Sequence, residues 1–212
     1  MKDYTIRATA ADGMVRASAA VTTEIVREAR NLHNLSPVAS AALGRTLTAA
    51  VLMSTYLKGE KDKLTIQIKG EGPLGGIVVV SDSHGNIRGY VYNPDVHLPL
   101  NDKGKLDVSG AIGPRGHMNI IRDLGLKEPY IGYVDLISGE IAEDIAYYYL
   151  VSEQIPSVVA LGVLIDTDGS IINAGGFMLQ LMPGASEDLI DFLEKKVSTL
   201  NSVTSLLSEG KD

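Results

Sequence analysis

Ser36-Pro37-Val38-Ala39-Ser40-Ala41-Ala42-Leu43-Gly44-Arg45-Thr46-Leu47-Thr48-Ala49-Ala50-Val51-Leu52-Met53-Ser54-Thr55-Tyr56-Leu57-Lys58-Gly59 is the stretch around which the rest of the chain arranges itself. Ser36 is an N-cap residue, and Pro37 follows where a missing N–H costs nothing. Gly59 offers a left-handed exit. The 22 residues between Ser36 and Gly59 predict a helix, about 33 Å long at 1.5 Å per residue. Val38, Ala41, Leu43, Leu47, Val51 and Leu52 run nearly all round it, and a helix apolar on every side is buried centrally.

Working outward toward the N-terminus, Thr23 to Asn31 predicts a second helix with Ile25, Val26, Ala29 and Leu32 on one face. Before it, Tyr4–Ala8 and Met14–Ala17 flank Ala11-Asp12-Gly13 and predict a β-hairpin. Toward the C-terminus strands dominate. Leu64, Ile66 and Ile68 alternate with Thr65, Gln67 and Lys69, and Ile77–Val80 and Ile87–Tyr92 enclose the turn Ser83-His84-Gly85-Asn86. Further strands are expected at Met118–Arg122, Tyr130–Leu136, Val158–Ile165 and Ile171–Gln180. A helix is expected from Glu140 to Val151, with Ile141, Ile145, Tyr148 and Ser152 on one face. Hairpins outnumbering helices, without regular βαβ alternation, predict an α+β fold: antiparallel or mixed sheets around the long buried helix.

The character changes after Met182-Pro183-Gly184. Ser186 caps a helix with Glu187 and Asp188 in its first turn and Lys195 and Lys196 later, as the helix dipole favours. Leu189, Leu193, Val197, Leu200, Val203 and Leu207 continue an apolar stripe, interrupted at Asn201-Ser202. A boundary is placed there: a core over 1–183 and a helical segment over 184–212. The stripe either docks on the chain's own core or presents a surface to a partner, since large exposed apolar patches mark interaction sites.

Composition sets the outer limits. A chain of 212 residues with 45% apolar and 21% charged residues is that of an ordinary globular protein. By area scaling it exposes roughly 9,500 Å² when compactly folded. The absence of cysteine excludes, for these residues, disulfides, thiolate zinc sites, iron–sulfur clusters and a cysteine nucleophile. A net charge of −7 and 5% aromatics argue against a nucleic-acid partner. Met1-Lys2-Asp3-Tyr4 lacks an apolar signal core, and the most apolar window, 38–57, contains Arg45, so neither secretion nor membrane spanning is expected.

Candidate chemistry is thin. Gly70-Glu71-Gly72-Pro73-Leu74-Gly75 matches the dinucleotide fingerprint, but that motif works by opening a helix, and Ile77–Val80 predicts a strand. His33, His84, His97 and His117 do not fall at metal-ligand spacing, and His84 is expected in a solvated turn. Asp82-Ser83-His84 holds triad residue types in a row, whereas a triad is assembled by geometry. Asp166, Asp168 and Gly169 start like a calcium loop but lack its closing glutamate, which leaves a hairpin turn. Glu143-Asp144 is expected on a solvated helix face. From residue chemistry alone the chain is an α+β protein without a catalytic constellation.

Several segments, read in order, resemble a known family: Arg7–Gly13 with Val15-Arg16-Ala17, Ser36–Arg45, Gly70–Gly75, Arg88–Val91 with Asn93-Pro94, Ser138–Asp144, Ser152–Ser157 and Ala174-Gly175-Gly176-Phe177. Together they resemble the redox-regulated heat-shock chaperones of thirty-three kilodaltons, bacterial cytosolic holdases, from about Tyr4 to the C-terminus. The resemblance implies no enzymatic activity, ATP-independent capture of unfolding client proteins, a homodimer and a cytoplasmic location. It further implies a C-terminal module in which four cysteines hold one zinc ion and whose oxidation switches the chaperone on. These 212 residues stop within the helical linker and contain no such module, so the chain is expected to be a truncated body with no cofactor of its own. The client-binding candidates are Leu189, Ile190, Phe192, Leu193, Val197 and Leu200. Two other readings stay open: a nucleotide-binding enzyme using Gly70–Gly75, and a structural dimerisation domain.

Overall fold

The computed structural model describes residues 2–211. Strands β1 (Tyr4–Ala10) and β2 (Val15–Val21) form the N-terminal hairpin around a 3-10 turn at Ala11–Gly13. Helices α1 (Thr23–His33) and α2 (Pro37–Ser54) follow, then strands β3 (Lys63–Gly70), β4 (Ile77–Asp82) and β5 (Ile87–Val91). A short helix α3 (Val108–Ile112) leads into β6 (Gly116–Asp123), β7 (Tyr130–Asp135) and helix α4 (Ile141–Val151). Strands β8 (Ser157–Ile165) and β9 (Ile171–Leu181) and helices α5 (Glu187–Ser198) and α6 (Val203–Ser208) complete the chain.

The strands make two sheets, both wholly antiparallel: β1-β2-β9-β8 and β5-β4-β3-β6-β7. We call them the four-stranded and five-stranded sheets. Helix α2 lies between them and packs against strands of both. All of its residues except Pro37 and Arg45 are buried. Burying each of Leu43, Leu47 and Leu52 contributes roughly 1.5–3 kcal/mol. Small residues let the layers close on the helix. A Cβ on Gly44 would stand 2.9 Å from both Val163 and Val26 methyls. The buried threonines of α2 are satisfied within the core, because the Thr46 and Thr48 hydroxyls donate to the Ala42 and Gly44 carbonyls at 2.9 Å.

The five-stranded sheet turns Leu64, Ile66, Ile68, Ile77, Val79, Met118 and Ile120 toward α2, the period-two burial that its alternating sequence dictates. The intervening residues face outward.

Two features depart from the sequence expectation. Helix α2 stops at Ser54, five residues before Gly59, and Gly59 does not take the left-handed conformation. The Asp62 carboxylate accepts the Lys58 and Gly59 amides at 3.2 and 2.8 Å and turns the chain into β3 before another helical turn can form. Helix α3 has no counterpart in the expected elements. At five residues it is too short to show a period, and Asp107 sets it by accepting the Gly110 amide at 2.8 Å.

Candidate functional site

The C-terminal helices lie over the outer face of the four-stranded sheet and seat there very differently. Ser186 Oγ accepts the Leu189 amide and starts α5, whose acidic first turn and basic last turn suit its dipole. No residue of α5 is buried. Ile190, Leu193 and Val197 overhang a cleft of about 350 Å³ floored by Val15, Val158 and Leu179. Phe192 and Leu200 face outward at 54% and 49% exposure, with the Lys196 ammonium 5.6 Å from the Phe192 ring centre. Of the six client-binding candidates, then, Ile190, Leu193 and Val197 face the sheet, Phe192 and Leu200 face outward, and Leu189 is half-buried.

Helix α6, by contrast, is docked. Ser202 caps it by accepting the Ser205 amide. Its Val203 is buried, and Leu206 and Leu207 lie over Tyr4, Ile6, Val21 and Phe177. The cross-strand pair Gly162 and Gly175 makes the approach possible. A Cβ on Gly162 would meet Thr204 at 2.8 Å, and one on Gly175 would meet Leu207 at 3.0 Å and the Ala20 carbonyl at 2.6 Å. Asn173 Nδ2 then donates to the Thr204 carbonyl at 3.3 Å and Ser208 Oγ at 2.9 Å. The sheet-side residues are not among the sequence-predicted site residues, and the paired glycines in adjacent strands are the signal that marks them.

The Gly70–Gly75 segment binds the protein itself. The amides of Gly72 and Leu74 donate to the Ile112 and Ala111 carbonyls at 2.8 and 2.9 Å, and Glu71 donates to the Arg115 carbonyl at 3.0 Å. The Gly75 amide closes a turn onto Gly72, and Pro73 has none to give. A Cβ at Gly70 or Gly72 would lie 2.0 or 2.4 Å from a backbone oxygen of α3. The glycines therefore admit α3 against the loop, and β4 follows in place of a helix. This arrangement offers no amide cradle to a pyrophosphate.

The remaining candidates resolve into turns and pairs. The Asp82 carboxylate accepts the His84 and Asn86 amides at 2.9 and 3.1 Å, which fixes the hairpin and leaves His84 exposed. The Asn86 side-chain hydrogen bond is the main cause holding the Asp82 pKa below its ordinary value. Asp166 and Asp168 accept the Thr167 and Ser170 amides at 2.7 Å within a turn completed by left-handed Gly169. His97 pairs with Asp95 at 2.9 Å, and the His117 ring stacks on Tyr133. Among the described residues no group of three His, Asp or Glu side chains could hold a metal. With no cysteine in the chain, these residues do not fit the zinc that the resemblance implies.

Asp144 corrects the expectation of a solvated helix face: it is 1% exposed, while Glu143 is exposed. Its Oδ1 accepts the Ile137 and Ser138 amides at 2.8 and 3.2 Å. Burial raises its pKa above the ordinary aspartate value, with the two amides opposing. A second polar cluster lies at the end of α4. Arg122 donates to the Tyr148 hydroxyl at 2.9 Å and pairs with Glu153, which also accepts from Tyr148 at 2.5 Å. Burial, then the bond to Glu153, drives the Tyr148 pKa upward. Gly132 leaves room for this ring, since a Cβ there would stand 2.5 Å from it.

Comparison with known proteins agrees with this architecture. A family model described as Hsp33 protein matches residues 3–212. The chain is 59% identical to a 33 kDa chaperonin of Acetivibrio thermocellus over 211 residues, covering all of this chain and 71% of that protein. It is 62% identical to a 33 kDa chaperonin of Ruminiclostridium cellulolyticum over 210 residues, covering 99% of this chain and 71% of that one. The crystal structure of the 33 kDa chaperonin (heat shock protein 33 homolog) of Thermotoga maritima superposes with a TM-score of 0.92 at 47% identity, covering 97% of this chain and 70% of that chain. An α+β body of two antiparallel sheets around a buried helix, matched over its whole length by these relatives, belongs to the Hsp33 family of 33 kDa chaperonins.

Proposed function

We propose that the chain is an ATP-independent holdase that captures partly unfolded proteins on apolar surface at the outer face of its four-stranded sheet. The observation that carries this reading is the contrast between the two C-terminal helices: α5 stands over apolar strands with none of its own residues buried. An amphipathic helix held so loosely exposes its apolar face and the sheet beneath it at little cost. Leu189, Ile190, Phe192, Leu193, Val197 and Leu200 are the proposed client contacts, and the strip from Tyr4 and Ile6 to Phe177 extends them. The net charge of −7 keeps a client complex soluble.

Capture of this kind needs no bond-making chemistry and no nucleotide. We take residues 1–183 as the core and 184–212 as a linker segment, the protein as a cytoplasmic homodimer, and unfolding proteins, not nucleic acid or membrane, as its partners. No described helix is long and apolar enough to cross a membrane. The redox switch implied by the family resemblance is proposed to need cysteines that these 212 residues do not contain.

Light scattering from a thermally unfolding client tests the reading. Stoichiometric chain is expected to suppress aggregation without ATP, and the double substitution Phe192→Ser, Leu200→Ser to weaken suppression. Aggregation at the rate of the client alone would sink the proposal.

A further inference from the structure

At the C-terminal end of α2 a second cleft, of about 300 Å³, opens between the two sheets. Met53, Leu57, Leu64, Leu124 and Ile155 give it apolar walls. Its polar groups are donors with too few acceptors. The Arg16 guanidinium lies 4.4 Å over the Tyr56 ring and spends only its Nε, on the Gln180 side chain at 2.8 Å. The Tyr56 hydroxyl is buried without a hydrogen-bond partner. Tyr149 is 5% exposed, packs edge-on against the Tyr148 ring and lines the cleft, with no hydrogen bond from its hydroxyl among the described residues. Arg16, Tyr56, Arg122 and Tyr149 all line this one cleft. A buried donor in the state of the Tyr56 hydroxyl costs free energy, and an acceptor entering the cleft recovers it.

The charges define the acceptor. Arg16, Lys58 and Arg122 face the cleft against Asp62 and Glu153, an excess of one positive charge. Asp62 is engaged by the Lys58 and Gly59 amides, and Glu153 by Arg122 and Tyr148. Among the described residues Arg16 has no carboxylate partner. Glu153 beside Arg122 disfavours a dianion, whereas a monoanion with two oxygens matches a guanidinium fork flanked by hydroxyls.

We propose that this cleft binds a carboxylate carried on an apolar body, with its oxygens between the Arg16 guanidinium and the Tyr56 and Tyr149 hydroxyls and its apolar part against Met53, Leu57, Leu64 and Ile155. Two sources supply that chemistry: a free acyl carboxylate, and the C-terminal residue of a polypeptide ending in an apolar side chain. The site is separate from the α5 surface and stands whether or not the holdase reading does.

The test titrates the whole chain, labelled with ¹³C-tyrosine, with n-octanoate, N-acetyl-leucine and N-acetyl-leucinamide, following the Tyr56 and Tyr149 ring signals. At least one carboxylate is expected to shift both signals saturably, with the amide weaker by about tenfold or more, as loss of a charge-assisted pair requires. Octanoate binding alone identifies a free acyl carboxylate, and N-acetyl-leucine binding identifies a polypeptide terminus. Arg16→Met, which keeps the packing on Tyr56, is expected to weaken the carboxylate about tenfold and leave the amide unchanged. Because Arg16 also holds Gln180, Tyr149→Phe is the second variant. It removes only the unpartnered hydroxyl and is expected to weaken carboxylate binding about threefold or more with thermal unfolding no lower than that of the wild type. No saturable shift with either carboxylate, equal affinity for acid and amide, or unchanged carboxylate affinity in both variants overturns the proposal.

Discussion

Asp144 does at a loop what an N-cap does at a helix, collecting two backbone amides on one carboxylate oxygen. Its desolvation has a consequence for stability. With the folded pKa raised above 3.8, the folded state holds the proton more tightly than the unfolded chain does. The stabilisation from this group is therefore present at acid pH and is lost as pH rises through the folded value. Asp144→Asn keeps an acceptor for the loop amides but cannot titrate. Urea midpoints from about pH 3 to pH 7 are expected to show wild type at its best relative to the Asn variant at the acid end, the difference shrinking as pH rises. A wild type that gains on the variant with rising pH would reverse the sign and refute the assignment. Asp144→Ala strips both amides of their partner and is expected to cost about 2 kcal/mol or more at every pH.

Among the elements, the two C-terminal helices share one apolar stripe and have different fates because only one meets a sheet surface made for it. The Gly162–Gly175 pair lowers the sheet under α6, whereas α5 crosses full-sized side chains at Val158 and Leu179 and stays above them. Gly162→Val suits a strand by propensity and places its branches where the Thr204 methyl and Val203 now sit. The expected result is release of α6 with the sheets intact, so that its amides exchange at least about tenfold faster, approaching those of α5. The same variant is expected to suppress client aggregation at a lower ratio than wild type, since Tyr4, Ile6 and Phe177 become uncovered. Unchanged α6 protection alongside a folded core would mean that the glycine pair does not govern docking.

Over the whole molecule, α2 sits between two sheets with its small residues toward both, and much of the outer surface is left bare. The accessible area is 11203 Å², against roughly 9,500 Å² for a compact chain of this mass. Tyr90, Tyr92, Ile131 and Tyr133 on the outer five-stranded face, together with α5, are part of that excess. Because no thiol exists anywhere in these residues, hydrogen peroxide is expected to leave holdase activity unchanged over a range that oxidises cysteine pairs. A peroxide-dependent gain in suppression, measured beside an untreated control, would refute this.

The sequence by itself determined the central helix, the hairpin order, the break at Asn201-Ser202 and the family. Each of these rests on local periodicity, caps and turns, or on motif order, all of which survive without knowing what packs where. It also argued against nucleotide chemistry at the Gly70–Gly75 segment, because a following strand is a local fact, while the contacts of that loop with α3 came from the structure. Only the tertiary structure decided that α2 ends at Ser54, where a carboxylate eight residues on takes the exit amides. Only the tertiary structure buried Asp144, because the amides it accepts lie in the loop between β7 and α4. It likewise decided that Gly70, Gly72, Gly162 and Gly175 exist to admit other elements, and that α6 docks while α5 does not. These are matters of what lies opposite a residue in space, and a periodic pattern specifies which face is apolar without specifying what will meet it.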